Sequence, residues 1–212
     1  MNRIKLIASM LKGANTVLDI GTDHGLVIIE ALKNNYIKKA IGTDLREEPL
    51  KMALKNIERY NLVDKVQLIQ TDGFKNINAD YDVVVITGLG FMSIKRILSM
   101  PHKKPNYYIL GAQHQLEALR EFLAANNFKI IDENIIYDKK VYIFLKVVAE
   151  NQQLSYEDVI LGPVLKTKKA AKKYYQKKLQ ELKKTVDFLT GEKKEEVKKK
   201  INIYKKTIAT LN

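Results

Sequence analysis

The first 149 residues alternate short apolar runs with amphipathic stretches of helical length, and this alternation restricts the fold more than any other feature. Apolar runs that alternate with helical patterns are typical of strands joined by crossover helices in a parallel sheet. The predicted strands cover residues 16–20, 40–43, 66–70, 83–87 and 107–110, and the predicted helices cover residues 26–34, 47–60, 94–98 and 116–126. The pattern predicts an α/β fold.

Two further apolar runs, residues 130–137 and 141–148, are separated only by Asp138, Lys139 and Lys140. Three residues are too few for a helical crossover, so these runs are predicted to form an antiparallel hairpin. A mostly parallel seven-stranded sheet with an antiparallel final hairpin is the Rossmann-like fold of class I methyltransferases. Nicotinamide-binding Rossmann domains, by contrast, are parallel throughout.

The remainder of the chain has a different composition. Residues 150–212 hold 16 lysines and 8 acidic residues, whereas residues 1–149 hold 21 basic and 16 acidic residues. We therefore expect a Rossmann-like methyltransferase domain over residues 1–149 and a basic helical domain over residues 150–212. Apolar residues in the second part step by four and three, at Tyr175, Leu179, Leu182, Val186 and Leu189 and again at Val197, Ile201, Tyr204, Ile208 and Leu211. The spacing predicts an antiparallel coiled-coil hairpin of two helices of matching length, with Gly191 ending the first.

The overall charge and the lack of cysteine restrict the classes of function. The chain carries a formal net charge of +13 and no cysteine. The lysine surplus of the hairpin favours a surface that faces nucleic-acid phosphates over a merely solvated face. Without cysteine there is no disulfide, thiolate metal site or cysteine nucleophile, which fits the cytoplasm. No apolar stretch approaches the roughly 18 residues of a membrane span, so we expect a soluble protein that binds no membrane.

The segment between the first predicted strand and helix, residues 19–25, reads DIGTDHG. It lies at the carboxyl edge of the sheet, where α/β proteins bind ligands. The dinucleotide pattern GxGxxG is absent, because three residues separate Gly21 from Gly25. Two carboxylates would repel a pyrophosphate but attract a cationic sulfonium with its ammonium group. The segment predicts S-adenosylmethionine as cofactor, bound by Asp19, Gly21, Thr22, Asp23 and His24.

Acidic residues also follow the second and third predicted strands. Asp44, with Leu45 beside it, lies 23 positions after Gly21, the distance at which a carboxylate accepts hydrogen bonds from the ribose hydroxyls. In the segment Asp72-Gly73-Phe74, the carboxylate is predicted to accept a hydrogen bond from the adenine amino group, and the phenyl ring is predicted to pack on adenine. Taken alone, such a phenylalanine is most often a core residue and such an aspartate most often a turn former.

Several segments together resemble the bacterial tRNA (adenine(22)-N1)-methyltransferase family over nearly the whole chain. They are DIGTDHG, Asp72-Gly73, TGLG at 87–90, LREFL at 119–123 before NNF at 126–128, and Leu161-Gly162-Pro163 ahead of the basic helices. The resemblance implies methyl transfer from S-adenosylmethionine to N1 of an adenosine in the D-arm region of tRNA, by a cytoplasmic enzyme. Two loops depart from the family: GLGF at 88–91 replaces GMGG, and GAQ at 111–113 replaces QPN.

The chemistry of this reaction needs alignment and charge stabilisation rather than a general base. N1 of adenine attacks with an in-plane lone pair, and its product is a cation that an acceptor would stabilise. Asp23 is the first candidate acceptor, and the backbone carbonyls of Gly88, Leu89 and Gly90 are the second. Phe91 is a candidate to stack on an adenine taken out of its helix. His24 is then a hydrogen-bonding loop residue, and no metal site is predicted.

Contacts with tRNA are predicted farther along the chain. Gln113 and His114 follow the fifth strand and are expected to line the substrate mouth. Arg120 allows two interpretations, because it could form a plain ion pair on its helix, whereas its match to the family implies contact with tRNA. On the first hairpin helix, the four lysines nearest the catalytic domain are expected to bind tRNA phosphates. They are Lys168, Lys169, Lys172 and Lys173.

Two other functions stay open at this point. The target could be a different RNA, or the chain could be a non-catalytic RNA-binding protein that keeps the fold. The altered loop at residues 88–91 gives the second option weight, whereas the set Asp19, Gly21, Asp23, Asp44 and Asp72 argues against it. We expect a monomer, with a dimer formed through the helical hairpin as the alternative.

Overall fold

The computed structural model describes residues 1–112 and 114–211. The described residues form seven strands and eight α-helices. The strands are β1 (Thr16–Ile20), β2 (Lys39–Asp44), β3 (Val66–Gln70), β4 (Val83–Leu89), β5 (Tyr107–Ala112), β6 (Lys129–Asp138) and β7 (Lys140–Val148). The helices are α1 (Arg3–Ser9), α2 (Leu26–Lys33), α3 (Glu47–Arg59), α4 (Phe91–Leu98), α5 (Leu116–Ala125), α6 (Tyr156–Leu161), α7 (Lys172–Thr185) and α8 (Gly191–Thr210). No helix in this part of the chain is long and apolar enough to cross a membrane.

The seven strands form one sheet in the order β3-β2-β1-β4-β5-β7-β6. The pairs from β3 through β5 are parallel, and β7 runs antiparallel to both of its neighbours, β5 and β6. The predicted mostly parallel sheet with a final antiparallel hairpin is confirmed. The order of strands along the chain reverses between β1 and β4, so the carboxyl ends of these two strands flank a crevice.

Successive residues of the central strands point to opposite faces of the sheet, and both faces are covered. Val17 and Val85 pack against α1 and α2, whereas Leu18 and Ile86 belong to the core on the other face. That second core contains residues of α4 and α5 and extends into the C-terminal helices. The continuous apolar runs of β1 and β4 follow from this burial on both sides.

Helices α1 and α6 were absent from the sequence-based expectations. Helix α1 is only seven residues long, and the side chain of Asn2 caps it by accepting a hydrogen bond from the backbone N–H of Lys5 at 2.9 Å. Its Leu6, Ile7 and Ala8 are buried in the core that contains α2. Tertiary packing therefore supplies most of the stability that so short a helix lacks by itself.

The C-terminal helices α7 and α8 pack against each other, as the heptad-like spacing predicts. The pair is antiparallel, since Tyr175 near the start of α7 and Tyr204 late in α8 have ring centroids 5.7 Å apart. The predicted matching lengths are wrong: α7 has 14 residues and α8 has 20. Gly191 begins α8 rather than ending α7, because α7 stops at Thr185 and a 3-10 turn follows it.

Burial along this helix pair decreases from base to tip. Tyr175 and Tyr204 are fully buried in the core that reaches the sheet, whereas Phe188 near the tip is 88% exposed. The base of the pair is therefore packed on the α/β fold, and only its distal part projects.

Candidate active site

A cleft of about 270 Å³ opens at the carboxyl edge of the sheet, beside the ends of β1, β2 and β4. This is where ligands bind in open α/β sheets. The structure brings eight of the predicted site residues together in its lining, namely Asp19, Gly21, Thr22, Asp23, His24, Asp44, Gly88 and Leu89.

The loop after β1 bends sharply between the strand and α2. Asp23 and Gly25 both have positive φ values, +52° and +71°. The backbone N–H groups of Gly21 and Thr22 donate to the carbonyl of Thr43 at 2.8 and 2.9 Å, which fixes the loop to β2. Gly25 packs closely on α3, because a Cβ added there would lie 3.3 Å from the Cβ of Ala53. The DIGTDHG pattern is thus explained by a tight strand-to-helix turn at the cleft.

Asp19 is the buried carboxylate of this site, at 3% exposure. Its Oδ2 accepts a 2.8 Å hydrogen bond from the hydroxyl of Thr22. Burial raises the pKa of Asp19 to about 6; the hydrogen bond from Thr22 opposes this shift, and the nearby charge of Asp44 adds to it. A carboxylate held in this way would be stabilised by a cationic ligand in the cleft.

Asp44 ends β2 at the same edge, with its side chain 11% exposed. Its Oδ1 accepts the backbone N–H of Arg46 at 3.0 Å, which leaves further acceptor capacity on the carboxylate. The neighbouring Leu45 is 63% exposed and is absent from the cleft lining. The predicted contact of Leu45 with the cofactor therefore stays a prediction.

Asp23 and His24 lie at the open side of the cleft. Their side chains are 62% and 47% exposed, and Oδ1 of Asp23 lies 3.6 Å from Nε2 of His24. The backbone carbonyl of His24 accepts a 3.0 Å hydrogen bond from the amide of Asn56 on α3. This anchors the loop while both side chains point to the solvent-accessible mouth.

The loop after β4 is shorter than predicted, because the strand continues to Leu89. A register irregularity between Thr87 and Leu89 leaves Gly88 exposed at the cleft, with φ +79°. Gly90 is the N-cap of α4 and Phe91 its first residue, and neither lines the cleft. The ring of Phe91 packs edge-on against Phe122, with centroids 6.3 Å apart. Its predicted stacking on the target base stays a prediction.

The segment at residues 72–74 lies outside the cleft lining. The ring of Phe74 is 6% exposed and stacks on His102 with centroids 3.9 Å apart, and its predicted packing on adenine stays a prediction. The expectation of a core residue is confirmed. His102 is itself half-buried, with Nε2 2.8 Å from the hydroxyl of Tyr108.

Asp72 already has cationic partners. Both of its carboxylate oxygens accept hydrogen bonds from Arg96 on α4, at 2.7 and 2.8 Å, and Lys75 adds a third at 3.2 Å. The hydrogen bonds from Arg96 lower the pKa of Asp72 to about 2. Gly73 beside it packs on Met100. Contacts of Asp72 and Gly73 with the cofactor stay predictions.

The sequence-based analysis missed a second wall of the cleft. Arg3, Ile4 and Ile7 of α1 line it, together with Tyr142 and Phe144 of β7. The guanidinium of Arg3 donates to the hydroxyl of Tyr142 at 3.2 Å and lies over its ring. The signal that was available is Asn2 as a helix cap ahead of apolar residues at helical spacing.

A larger groove of about 870 Å³ lies beside the cleft and shares Ala112 and Ile143 with it. The groove is bounded by α5, the tip of the β6–β7 hairpin, α7 and α8. His114 is exposed in its wall, at the position predicted for the substrate mouth. Gln113 lies outside the described residues.

The four predicted phosphate-binding lysines lie close together in the chain but are not all on one helix. Lys168 and Lys169 precede α7, and Lys172 and Lys173 are its first two residues. Lys168 donates to Asp132 of β6, and Lys173 lies over the ring of Tyr137, 5.6 Å from its centroid. Lys169 and Lys173 are exposed.

Arg120 does not contact solvent, and its predicted contact with tRNA is wrong. The side chain is 2% exposed and forms an ion pair with Glu133 of β6, whose side chain is fully buried. The alternative interpretation, an ion pair, is confirmed. The guanidinium lies in the wall of the larger groove, but its hydrogen bonds go to Glu133 and to the carbonyls of Val159 and Ile160, which leaves almost no surface for a phosphate.

The acidic side chains that line the cleft indicate the charge of its ligand. Carboxylates of three residues, Asp19, Asp23 and Asp44, line a space of small-molecule size. Among the described residues, no group of three or more histidine or acidic side chains is arranged to hold a metal ion. The carboxylates therefore fit an organic cation with hydroxyl groups, which is the chemistry of S-adenosylmethionine.

Comparison with known proteins gives consistent matches over most of the chain. The TrmK family, described as tRNA (adenine(22)-N(1))-methyltransferase, matches residues 17–212. A Mycoplasma genitalium protein described as a candidate tRNA methyltransferase is 30% identical over 82% of this chain and 84% of its own.

Two solved structures share the fold. M. capricolum TrmK in complex with S-adenosyl-homocysteine is 26% identical, with a TM-score of 0.85 over 99% of this chain and 98% of that one. A Streptococcus pneumoniae protein described as a candidate tRNA (m1A22) methyltransferase, in complex with S-adenosyl-L-methionine, is 28% identical, with a TM-score of 0.85 over 98% and 100% of the two chains.

Proposed function

The chain belongs to the tRNA (adenine(22)-N(1))-methyltransferase family, and from this premise we propose how its residues perform the reaction. The protein is an enzyme that transfers a methyl group from S-adenosylmethionine to N1 of adenosine 22 in tRNA. The observation that carries the assignment within this chain is the cleft in which the three carboxylates of Asp19, Asp23 and Asp44 meet at the ends of β1 and β2.

We propose that these carboxylates hold the methyl donor. S-adenosylmethionine supplies a methyl group on a positively charged sulfur, next to an ammonium group and a ribose. Asp44, with its free acceptor capacity, would accept the ribose hydroxyls. Asp19 and Asp23 would offset the positive charges, the first from a buried position and the second from the mouth. Gly21, Thr22, His24 and Gly88 would contact the donor along the cleft wall.

We propose that Asp23 also acts on the target base. Methylation at N1 places positive charge on the adenine ring, and a carboxylate at the cleft mouth would stabilise it as it forms. The side chain of Asp23 lines the cleft and is 62% exposed, so an incoming base would have access to it. The backbone carbonyls of Gly88, Leu89 and Gly90 are proposed as a second set of acceptors, and Phe91, the first residue of α4, as a stacking partner of the base.

The tRNA is proposed to lie along the groove that adjoins the cleft. The groove is lined by lysines of the hairpin tip and of the C-terminal helices, including Lys139, Lys140, Lys177 and Lys178. With Lys168, Lys169, Lys172 and Lys173 beside it, this side of the molecule offers many cations to the phosphates. On this view residues 1–149 perform the chemistry and residues 150–212 serve mainly to hold the RNA.

Transfer of a labelled methyl group from S-adenosylmethionine to unmodified tRNA transcripts tests the function. The product nucleoside is identified and located by mass spectrometry. N1-methyladenosine at position 22 is the expected product. Label at another position, or in another RNA only, would overturn the assigned target. If Asp44→Ala still methylates tRNA and binds S-adenosylmethionine with the affinity of the parent, the proposed binding site for the methyl donor is overturned.

The protein is proposed to act as a monomer in the cytoplasm, where tRNA is modified. Light scattering coupled to size-exclusion chromatography, with and without tRNA, tests the oligomeric state. A stable dimer of the free protein would contradict the proposal.

A further inference from the structure

The buried ion pair between Arg120 of α5 and Glu133 of β6 has an unusual set of partners. Oε1 of Glu133 accepts from Nε and Nη2 of Arg120 at 3.0 and 2.8 Å. The remaining hydrogen bonds of both side chains go to the backbone of residues 159–165, the segment that leads from the sheet to α7. We refer to this segment as the turn.

Arg120 caps the end of α6, and Glu133 caps the start of the 3-10 helix that follows it. Nη1 of Arg120 donates to the carbonyls of Val159 and Ile160 at 3.0 and 3.2 Å, in the last turn of α6. Oε2 of Glu133 accepts the N–H groups of Val164 and Leu165 at 3.0 and 2.8 Å, where the next 3-10 helix begins. These are the carbonyl and N–H groups that a helix end leaves without partners. The pair therefore substitutes for two helix caps at once.

Gly162 lies between the two capped ends and touches the pair. Its φ is +97°, and a Cβ at this position would lie 2.3 Å from Oε2 of Glu133 and 2.6 Å from Nη2 of Arg120. Any other residue would push the turn away from the ion pair. This accounts for the glycine of the Leu161-Gly162-Pro163 segment, for which the reaction itself gives no reason.

This turn also fixes the position of α7. The hydroxyl of the fully buried Tyr175 donates to the carbonyl of Leu161 at 2.7 Å. Tyr175 is the fourth residue of α7, so this bond sets where the helix begins. A continuous set of directional contacts thus runs from α5 and β6, through the turn, to the helix that carries Lys172, Lys173, Lys177 and Lys178.

We propose that Arg120 and Glu133 are positioning residues for the tRNA, although their side chains are only 2% and 0% exposed. They hold α7 at a fixed distance and angle from the cofactor cleft and so set the width of the groove between α5 and α7. The proposal rests on the proposed function. Apolar packing would hold the turn at least as strongly, because buried ion pairs add little net stability. The four hydrogen bonds from the pair to the turn, with a fifth from Tyr175, add direction, which apolar contacts lack.

The test combines kinetics with a direct measurement of helix position in the full-length protein. The chain has no cysteine, so a cysteine at exposed Met52 of α3 and another at exposed Lys184 of α7 can be spin-labelled without interference. In this labelled background we compare Arg120→Met, which removes the guanidinium, with Gly162→Ala, which keeps both charges but displaces the turn. Lys129→Met is the control, because it removes an exposed ion pair to Glu150 that also crosses to the segment after β7.

The control and the parent should give one narrow distance distribution. In Arg120→Met and Gly162→Ala the distribution should broaden or shift, and KM for tRNA should rise by about fivefold or more, whereas the S-adenosylmethionine Kd and kcat at saturating tRNA stay within about twofold. A merely structural role would lower the amount of folded enzyme and leave KM for tRNA unchanged.

A folded Arg120→Met or Gly162→Ala protein with an unchanged distance distribution would overturn the proposal, and so would a broadened distribution with an unchanged KM. If Arg120→Met does not fold, Glu133→Gln, which keeps the shape of the side chain, replaces it under the same criteria. Failure of the parent to methylate tRNA would count against the proposed function, and the label distances would still decide whether the pair positions α7.

Discussion

The hydroxyl of Thr22 donates a 2.8 Å hydrogen bond to a carboxylate of Asp19 that is 97% removed from solvent, at the end of the first strand. Both residues belong to the segment that the sequence singles out as a ligand site. One hydrogen bond does not offset the loss of water around the charge, and the pKa of Asp19 rises to about 6 because of burial. The ionised carboxylate of Asp19 is therefore destabilised by burial until a cation binds in the cleft.

Asp19→Asn should stabilise the cofactor-free protein at pH 7. The pKa of Asp19 is raised from 3.8 to about 6 in the folded state. At a pH above both values, ionised Asp19 therefore lowers the free energy of unfolding by up to about 3 kcal/mol. Urea unfolding at pH 7 and pH 3 measures this, and the advantage of the variant should largely vanish at pH 3, which lies below both pKa values. The same variant should bind S-adenosylmethionine more weakly. A variant that is less stable at pH 7 would contradict the assigned pKa direction.

Cofactor affinity should depend on pH through the same group. A positively charged ligand binds the ionised form of Asp19, and lowering the pH from 7 to 5 passes through a pKa of about 6. The S-adenosylmethionine Kd should rise by about tenfold over this range. Isothermal titration calorimetry in buffers of different ionisation enthalpy should also detect proton release on binding near pH 6. In Asp19→Asn this part of the pH dependence should disappear.

Asp23→Asn should abolish methylation while tRNA binding stays within about twofold of the parent. Asparagine tolerates the positive φ of this position, so the loop should keep its shape when the charge is removed. Loss of a charge that stabilises the product cation should lower kcat by about a hundredfold or more. Single-turnover kinetics with saturating donor measures the effect. His24→Asn is the matched control at the adjacent exposed position, and kcat within about threefold of the parent is expected there.

Phe74→Leu should lower stability without changing donor affinity. The ring is buried against His102, so its loss should reduce the free energy of unfolding by about 1 to 2 kcal/mol, and the S-adenosylmethionine Kd should change by less than about twofold. Denaturant unfolding and calorimetry give the two quantities. Tyr60→Leu, at an exposed aromatic, should be close to neutral in both. A large loss of affinity at unchanged stability would support the adenine contact.

Replacing the exposed Lys169 and Lys173 by alanine should weaken tRNA binding and make it less dependent on salt. Each phosphate contact that is lost should reduce the slope of log K against log salt by roughly 0.7 to 0.9. Filter binding between 50 and 300 mM salt measures the slope. Lys38 and Lys39 are exposed at the start of β2, the edge opposite the cleft, and their double alanine variant should leave the slope unchanged. Equal effects of the two double variants would remove the lysines before α7 from the tRNA surface.

The fold could be predicted well from the sequence because its signals are local. The strands β1 to β7 are confirmed to within a few residues, since buried parallel strands appear as short continuous apolar runs. Helix α1 was missed because seven residues have little helical preference of their own, and it forms only where α2 covers its apolar face. The end of α7 was misplaced because a glycine that follows a helix pattern can end one helix or begin the next.

The sequence by itself determined that the loops after β1, β2 and β4 share one edge, because strand ends in a parallel sheet necessarily do so. The predicted segment after β3, at residues 72–74, lies outside the cleft lining. The family assignment, read from the same segments, is confirmed by the match over residues 17–212. Only the tertiary structure decided which way individual side chains point. Phe74 and Arg120 matched functional patterns, yet both are buried, the first on His102 and the second on Glu133. Their partners are far away in the sequence, and burial of an aromatic ring or a guanidinium depends on what packs against it rather than on its immediate neighbours.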